Sequence, residues 1–126
     1  MMNTRLLLGS SAVVMAAAGL AASFLPHELA TRLGSQATPS IAVLVQLFGA
    51  LLFAFALVNW TAKGSPLGGI YGRPIALGNL AHFMIGGLAL LKSALNGADD
   101  PLLIGAGAVY IGFAIAFGLA LFRSPV

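Results

Sequence analysis

Three polar side chains stand inside long apolar runs of this 126-residue chain: Gln46, Asn79 and His82. An amide or imidazole in hydrocarbon costs on the order of several kcal/mol unless a neighbouring helix, a water or a ligand completes its hydrogen bonds. The residue types therefore fit three kinds of chemistry: a clip between helices, a proton relay or small-molecule contact, and axial ligation of a haem through the imidazole. Haem ligation by two histidines needs a second one within the membrane, and the other histidine, His27, falls in a loop at the far membrane face. No cofactor is expected. Between the other two roles the plainer is structural, because polar contacts between membrane helices are common and worth only about 1 kcal/mol each. An ionisable residue in a membrane is nevertheless a functional hypothesis by default, so Gln46, Asn79 and His82 form a candidate ligand-binding or helix-packing polar spot.

Other candidates have simpler readings. His27 lies in PHELATRLG, where Pro26 opens a short helix, Glu28 pairs with Arg32 at i,i+4, and Gly34 ends it. The glycine-rich KGSPLGGIYGRP lacks the Gly-Lys-Ser/Thr ending of a phosphate loop and reads as a tight turn, with Pro74 at the first position of the next helix. In NGADDP, Asn96 and Gly97 end one helix, Asp100 caps the next and Pro101 opens it; Asp99 and Asp100 alone make a poor cation site. No metal site is expected. With no intramembrane carboxylate, and no serine or cysteine nucleophile beside a base, the chain reads as non-enzymatic.

These residues must be positioned by membrane helices. The chain is 60% hydrophobic and 7% charged, against about a quarter charged in soluble domains. That composition predicts an all-α integral membrane protein, a four-transmembrane-helix bundle forming one membrane domain over 1–126, with the lipid bilayer as its surroundings. The spans are expected at 6–25, 41–60, 74–94 and 101–122. The first has features of a secretory signal, namely Arg5, an apolar core and Ala21-Ala22-Ser23, but its apolar stretch is long for one and it is read as a span. Six basic residues scattered singly make no basic patch, so no nucleic-acid partner is expected. They report topology instead. Arg5, Lys63, Arg73 and Arg123 fall on one side and Arg32 and Lys92 on the other, which predicts cytoplasmic N- and C-termini. Trp60 and Tyr71 suit the headgroup region, and Asn59, beside Trp60, is expected to be satisfied there by water or headgroups. Absent cysteine excludes disulfide and thiol chemistry.

Helices in lipid associate through close packing of small residues and a few polar bonds, so small-residue stripes predict which faces meet. Span one carries Ala12, Ala16, Gly19 and Ser23 at three-to-four spacing. Span four carries Gly105, Ala108, Gly112, Ala116 and Ala120 on one side, expected to pack, and Tyr110, Phe113, Phe117 and Leu121 on the other, expected to meet lipid. A wheel at about 100° per residue gathers Asn79, His82, Gly86 and Ser93 into one sector of span three, opposite Leu77, Leu80, Met84, Leu88 and Leu91. In span two Gln46 shares a side with Ala42, Gly49, Ala50 and Phe53, so Gln46 and His82 are expected to bracket a polar spot near the midplane.

Four short spans with a glycine-rich inner loop leading into GRPIALGNLAHF resemble the small bacterial inner-membrane proteins of the DoxX-like group. The resemblance covers length and helix count, matches no diagnostic motif residue by residue, and implies architecture only; some members are thought to be subunits of membrane oxidoreductases. Proton-coupled multidrug exporters of similar size resemble one another in a glutamate within the first span, and this first span has none. The expectation is an accessory or assembly subunit working with other membrane subunits, or a homo-oligomer. A quinone- or lipid-binding or transport protein is the alternative, and an oxidoreductase membrane anchor a third.

Overall fold

A computed structural model of the chain describes residues 3–34, 36, 38–64, 70, 72–97 and 100–123. Tyr71, Asp99 and residues 65–69 of the glycine-rich segment, expected to form a tight turn, lie outside the described residues. Five helices follow in order: α1 (Thr4–Phe24), α2 (Pro26–Arg32), α3 (Pro39–Ala62), α4 (Gly72–Leu95) and α5 (Pro101–Arg123). The protein is all-α, and α1, α3, α4 and α5 are long and apolar enough to cross a membrane. At 1.5 Å per residue the 24 residues of α3 or α4 extend about 36 Å, beyond the roughly 30 Å of hydrocarbon.

Each helix outruns its apolar core because polar residues at the ends complete the backbone. The Asn3 side chain accepts from the Leu6 N–H at 3.1 Å, and Thr38 Oγ1 accepts from the Ile41 N–H at 3.2 Å ahead of Pro39. Asp100 Oδ1 accepts from the Leu102 N–H at 2.9 Å, so Asp100 and Pro101 start α5 as their order predicts. Gly34 (φ 85°) closes the turn after α2, and Gly97 (φ 98°) follows α4 in the left-handed region that glycine enters without strain. In α2, Glu28 lies in the first turn and Arg32 in the last, complementing the helix dipole. One helix start differs from expectation. Helix α4 begins at Gly72 rather than Pro74, because first-turn N–H groups have no acceptor within the helix and proline is harmless anywhere there.

The chain divides into two compact units, Leu8–Lys63 and a second comprising Met1–Leu7 with Gly64–Val126. In the first, α1 and α3 meet backbone to backbone. A Cβ on Gly19 would lie 2.8 Å from the Phe53 nitrogen and 2.9 Å from the Gly49 oxygen. One on Gly49 would lie 2.6 Å from Ser23 Oγ, 2.7 Å from the Ser23 nitrogen and 2.8 Å from the Gly19 oxygen. Away from this crossing, Leu8, Ala12 and Met15 of α1 and Leu52 and Ala56 of α3 are buried, and Ala16 is half-buried. Helix α2 packs on α3 and buries Pro26 and Ala30.

In the second unit α4 and α5 form an antiparallel hairpin. Here the glycines of α4 make a notch for large residues of α5. A Cβ on Gly86 would lie 2.7 Å from Tyr110 Cε2, and one on Gly87 2.9 Å from Ile111 Cδ1. Phe83, buried in α4, stacks on Phe117 with centroids 5.8 Å apart and planes 9° apart, and also meets Tyr110 at 4.9 Å and Phe113 at 5.0 Å. This corrects the expectation that Tyr110, Phe113 and Phe117 meet lipid, since it is their side of α5 that packs on α4. Phe117 is 0% exposed, whereas Gly105, Ala108 and Gly112 are exposed, and a Cβ on Gly105 or Gly112 would meet nothing within 4 Å. The notch is already narrow on the α4 side, so close contact requires volume, not further small residues, from α5. Ala116 is half-buried and Ala120 buried. On α4, Leu77, Met84, Leu88 and Leu91 are exposed as expected, while Leu80 is buried, its Cδ1 within 3.7 Å of a Cβ on Gly118.

Candidate functional site

His82 lies ten residues into α4, about 15 Å from its N-terminal end and close to the middle of a membrane span. Its Nε2 is 2.9 Å from the Tyr110 hydroxyl, and the imidazole tautomer decides which of the two donates. The ring lies 5.1 Å from Tyr110 and 5.1 Å from Phe83, so an apolar aromatic wall backs the pair. Both residues are half-buried. Tyr110, expected to face lipid, instead bonds His82, and the sequence carries a signal for it: Tyr110 has the only side-chain polar group between Pro101 and Phe122. A half-buried imidazole on α4 that needs a side-chain partner from its hairpin neighbour has no other candidate between Pro101 and Phe122.

Asn79, one turn before His82, is fully buried. Its Nδ2 donates to the Ile75 carbonyl at 2.9 Å, a bond back along its own helix. The amide is thus absorbed partly by local backbone.

A second buried polar cluster joins α1 and α3. Asn59, expected at a wet interface, is 0% exposed, and its Nδ2 donates to Ser11 Oγ at 3.0 Å and approaches Met15 Sδ at 3.7 Å. Ser11, buried too, donates from Oγ to the Leu8 carbonyl at 3.0 Å. The reason is angular. Asn59 lies three residues beyond Ala56 and seven beyond Leu52, on the buried stripe facing α1, whereas Trp60 is one residue round and exposed. There the Lys63 ammonium lies 3.1 Å from the Trp60 ring centroid, a cation–π contact at the end of the span.

Gln46 stands in the other unit from Asn79 and His82, and it is exposed. Its expected companions separate: Ala42 and Gly49 are buried, while Ala50 and Phe53 are exposed with it. Close approach at Gly49 centres the α1 contact on one flank of that sector and leaves Gln46 on the other.

As chemistry, a hydrogen-bonded imidazole and phenol can exchange a proton or offer donor and acceptor atoms to a ligand, and amides can only donate and accept hydrogen bonds. Among the described residues no three His, Cys, Asp or Glu side chains gather as a metal site. His27 is exposed on α2.

Four apolar helices of spanning length, with polar groups spent largely on helix pairing, define a multi-pass membrane protein. No family model matches the chain, and neither curated proteins nor solved structures give a match.

Proposed function

We propose that the protein is a non-enzymatic component of a bacterial inner membrane, its N- and C-termini cytoplasmic, acting as an accessory or assembly subunit of a membrane complex or as a homo-oligomer. The observation that carries this reading is where the intramembrane polar bonds go. His82 bonds across the α4–α5 hairpin, Asn59 bonds across the α1–α3 pair, and Asn79 bonds back to Ile75. The first two bonds hold helix to helix and the third ties Asn79 to its own backbone, whereas catalysis needs a nucleophile or acid placed beside a base. The four-span layout shared with DoxX-like proteins accords with it, as does the excess of Lys and Arg at the terminal side.

Purification from mild detergent tests it. The expected result is a defined species larger than one chain, containing other membrane subunits or several copies of this one. A solitary monomer would overturn it. A second reading draws on one feature: His82 and Tyr110 are only half-buried, so a quinone or lipid headgroup can reach the pair. That reading requires a stoichiometric ligand that co-purifies and is lost in His82→Leu while the helices stay folded. A coloured complex would favour the third, an anchor whose redox centre belongs to its partner.

A further inference from the structure

The two helix pairs follow one pattern. Helix α4 starts 68 residues after α1, and α5 starts 62 residues after α3. Carried across by 68, the buried Leu8, Ser11, Met15 and Gly19 of α1 fall on Ala76, Asn79, Phe83 and Gly87 of α4, all buried, and Arg5 falls on Arg73. Carried across by 62, the capped start Thr38-Pro39 of α3 falls on Asp100-Pro101, and Ala54-Phe55-Ala56-Leu57 falls on Ala116-Phe117-Gly118-Leu119. Contacts within each pair agree with both shifts. A Cβ on Gly19 would lie 2.9 Å from the Gly49 oxygen; at the equivalent positions, one on Gly87 would lie 2.9 Å from Ile111 Cδ1 and 3.5 Å from the Ile111 nitrogen. A slip of one turn breaks the match, since Gly19 would then fall on the bulky Phe83 or the exposed Leu91.

The pairs differ in where their polar bonds fall. Asn59 and Ser11 bond across α1 and α3 at 3.0 Å, and their equivalents are Leu121 and Asn79. Asn79 stands four residues before Phe83 and Leu121 four after Phe117; those two rings stack, so one turn further along the antiparallel pair Asn79 comes opposite Leu121. Leucine has no atom to bond an amide, and the Asn79 nitrogen donates to the Ile75 carbonyl of its own helix. Conversely, His82 and Tyr110, bonded at 2.9 Å, are equivalent to Val14 and Phe48, whose side chains have no polar atom. We propose that α1–α3 and α4–α5 are two versions of one helical-hairpin unit, and that the polar bond fastening it has moved between them, from the rung of Ser11 and Asn59 in the first to that of His82 and Tyr110 in the second. The inference rests on reading these groups as ones that hold helices together. It makes the rung of Asn79 and Leu121 a bonding position that the second unit has given up.

Restoring the first unit's bond in the second tests this. In the full-length protein in mixed micelles, His82→Leu is expected to lower the folding equilibrium constant about 3- to 15-fold, the range for one hydrogen bond between membrane helices. Leu121→Asn, which puts an amide where the first unit has Asn59, is expected to recover most of that loss, and to recover nothing once Asn79→Ala is added. Leu119→Asn, on the exposed side of α5, should also recover nothing. Leu121→Asn alone should raise the constant, which reads the rung without disturbing His82. Loss at His82→Leu with no recovery by Leu121→Asn, or a recovery that survives Asn79→Ala, would overturn the equivalence of the two units and leave the helix-holding reading standing. No loss at His82→Leu would overturn that reading, while an Asn79-dependent gain from Leu121→Asn alone would still uphold the equivalence.

Discussion

Gly49→Ala is the change that most directly tests how α1 and α3 are held together. Two effects compete. Alanine in place of glycine favours a helix by about 1 kcal/mol through propensity. Against this, the new Cβ would stand 2.7 Å from the Ser23 nitrogen and 2.8 Å from the Gly19 oxygen, both backbone atoms that cannot rotate aside. An ordinary contact begins at 3.4 Å, so the helices must part by about 0.6 Å at their closest point, a gap that forfeits a quarter or more of each nearby dispersion contact. Overpacking of this kind costs about 1–3 kcal/mol. Gly112→Ala isolates that cost, because it gains the same propensity at a site where the Cβ meets nothing within 4 Å. Reversible unfolding in mixed micelles, followed by circular dichroism, should therefore place Gly49→Ala about 1–3 kcal/mol below Gly112→Ala. Equal stability of the two would refute the close crossing, and Gly112→Ala as the weaker would restore the small-residue face of α5 as the packed one.

Other outcomes follow from the same geometry. A double-mutant cycle of His82→Leu and Tyr110→Phe should give a coupling of about 0.6–1.7 kcal/mol in unfolding free energy, each single variant remaining folded; zero coupling would show that the 2.9 Å bond does not hold the hairpin. Asp100→Ala removes the acceptor for the Leu102 N–H and should cost about 1 kcal/mol, with Asp100→Asn restoring most of it. A membrane-impermeant maleimide should label Gln36→Cys in intact cells and label Gly64→Cys only after permeabilisation; the reverse pattern would invert the proposed orientation.

The four spans were legible from sequence because apolar runs of spanning length have few other uses, and the caps at Asp100 and Gly97 because their chemistry is local. Which face meets which neighbour was less legible, since it depends on both helices at once. Small residues on α1 and α3 meet one another at Gly19 and Gly49, whereas small residues on α4 meet the large Tyr110 and Ile111. A stripe read on one helix cannot distinguish these, so the stripe on α1 pointed at the contact and the stripe on α5 pointed away from it. Asn59 was lost for a related reason: proximity to Trp60 along the chain suggested an interface, while the 100° turn between consecutive residues takes Asn59 to the buried side.

The two helix pairs also divide their polar and packing roles differently. Between α1 and α3, backbone contact at Gly19 and Gly49 supplies dispersion, and the Asn59–Ser11 bond lies ten residues along α3 from Gly49, where it fixes register without needing the tightest approach. Between α4 and α5, the His82–Tyr110 bond lies within one turn of the glycine notch, so packing and polar contact act together. In both pairs an intramembrane polar side chain sits on the face that meets a partner, because a lone one toward lipid would forgo bonds that no tail can replace.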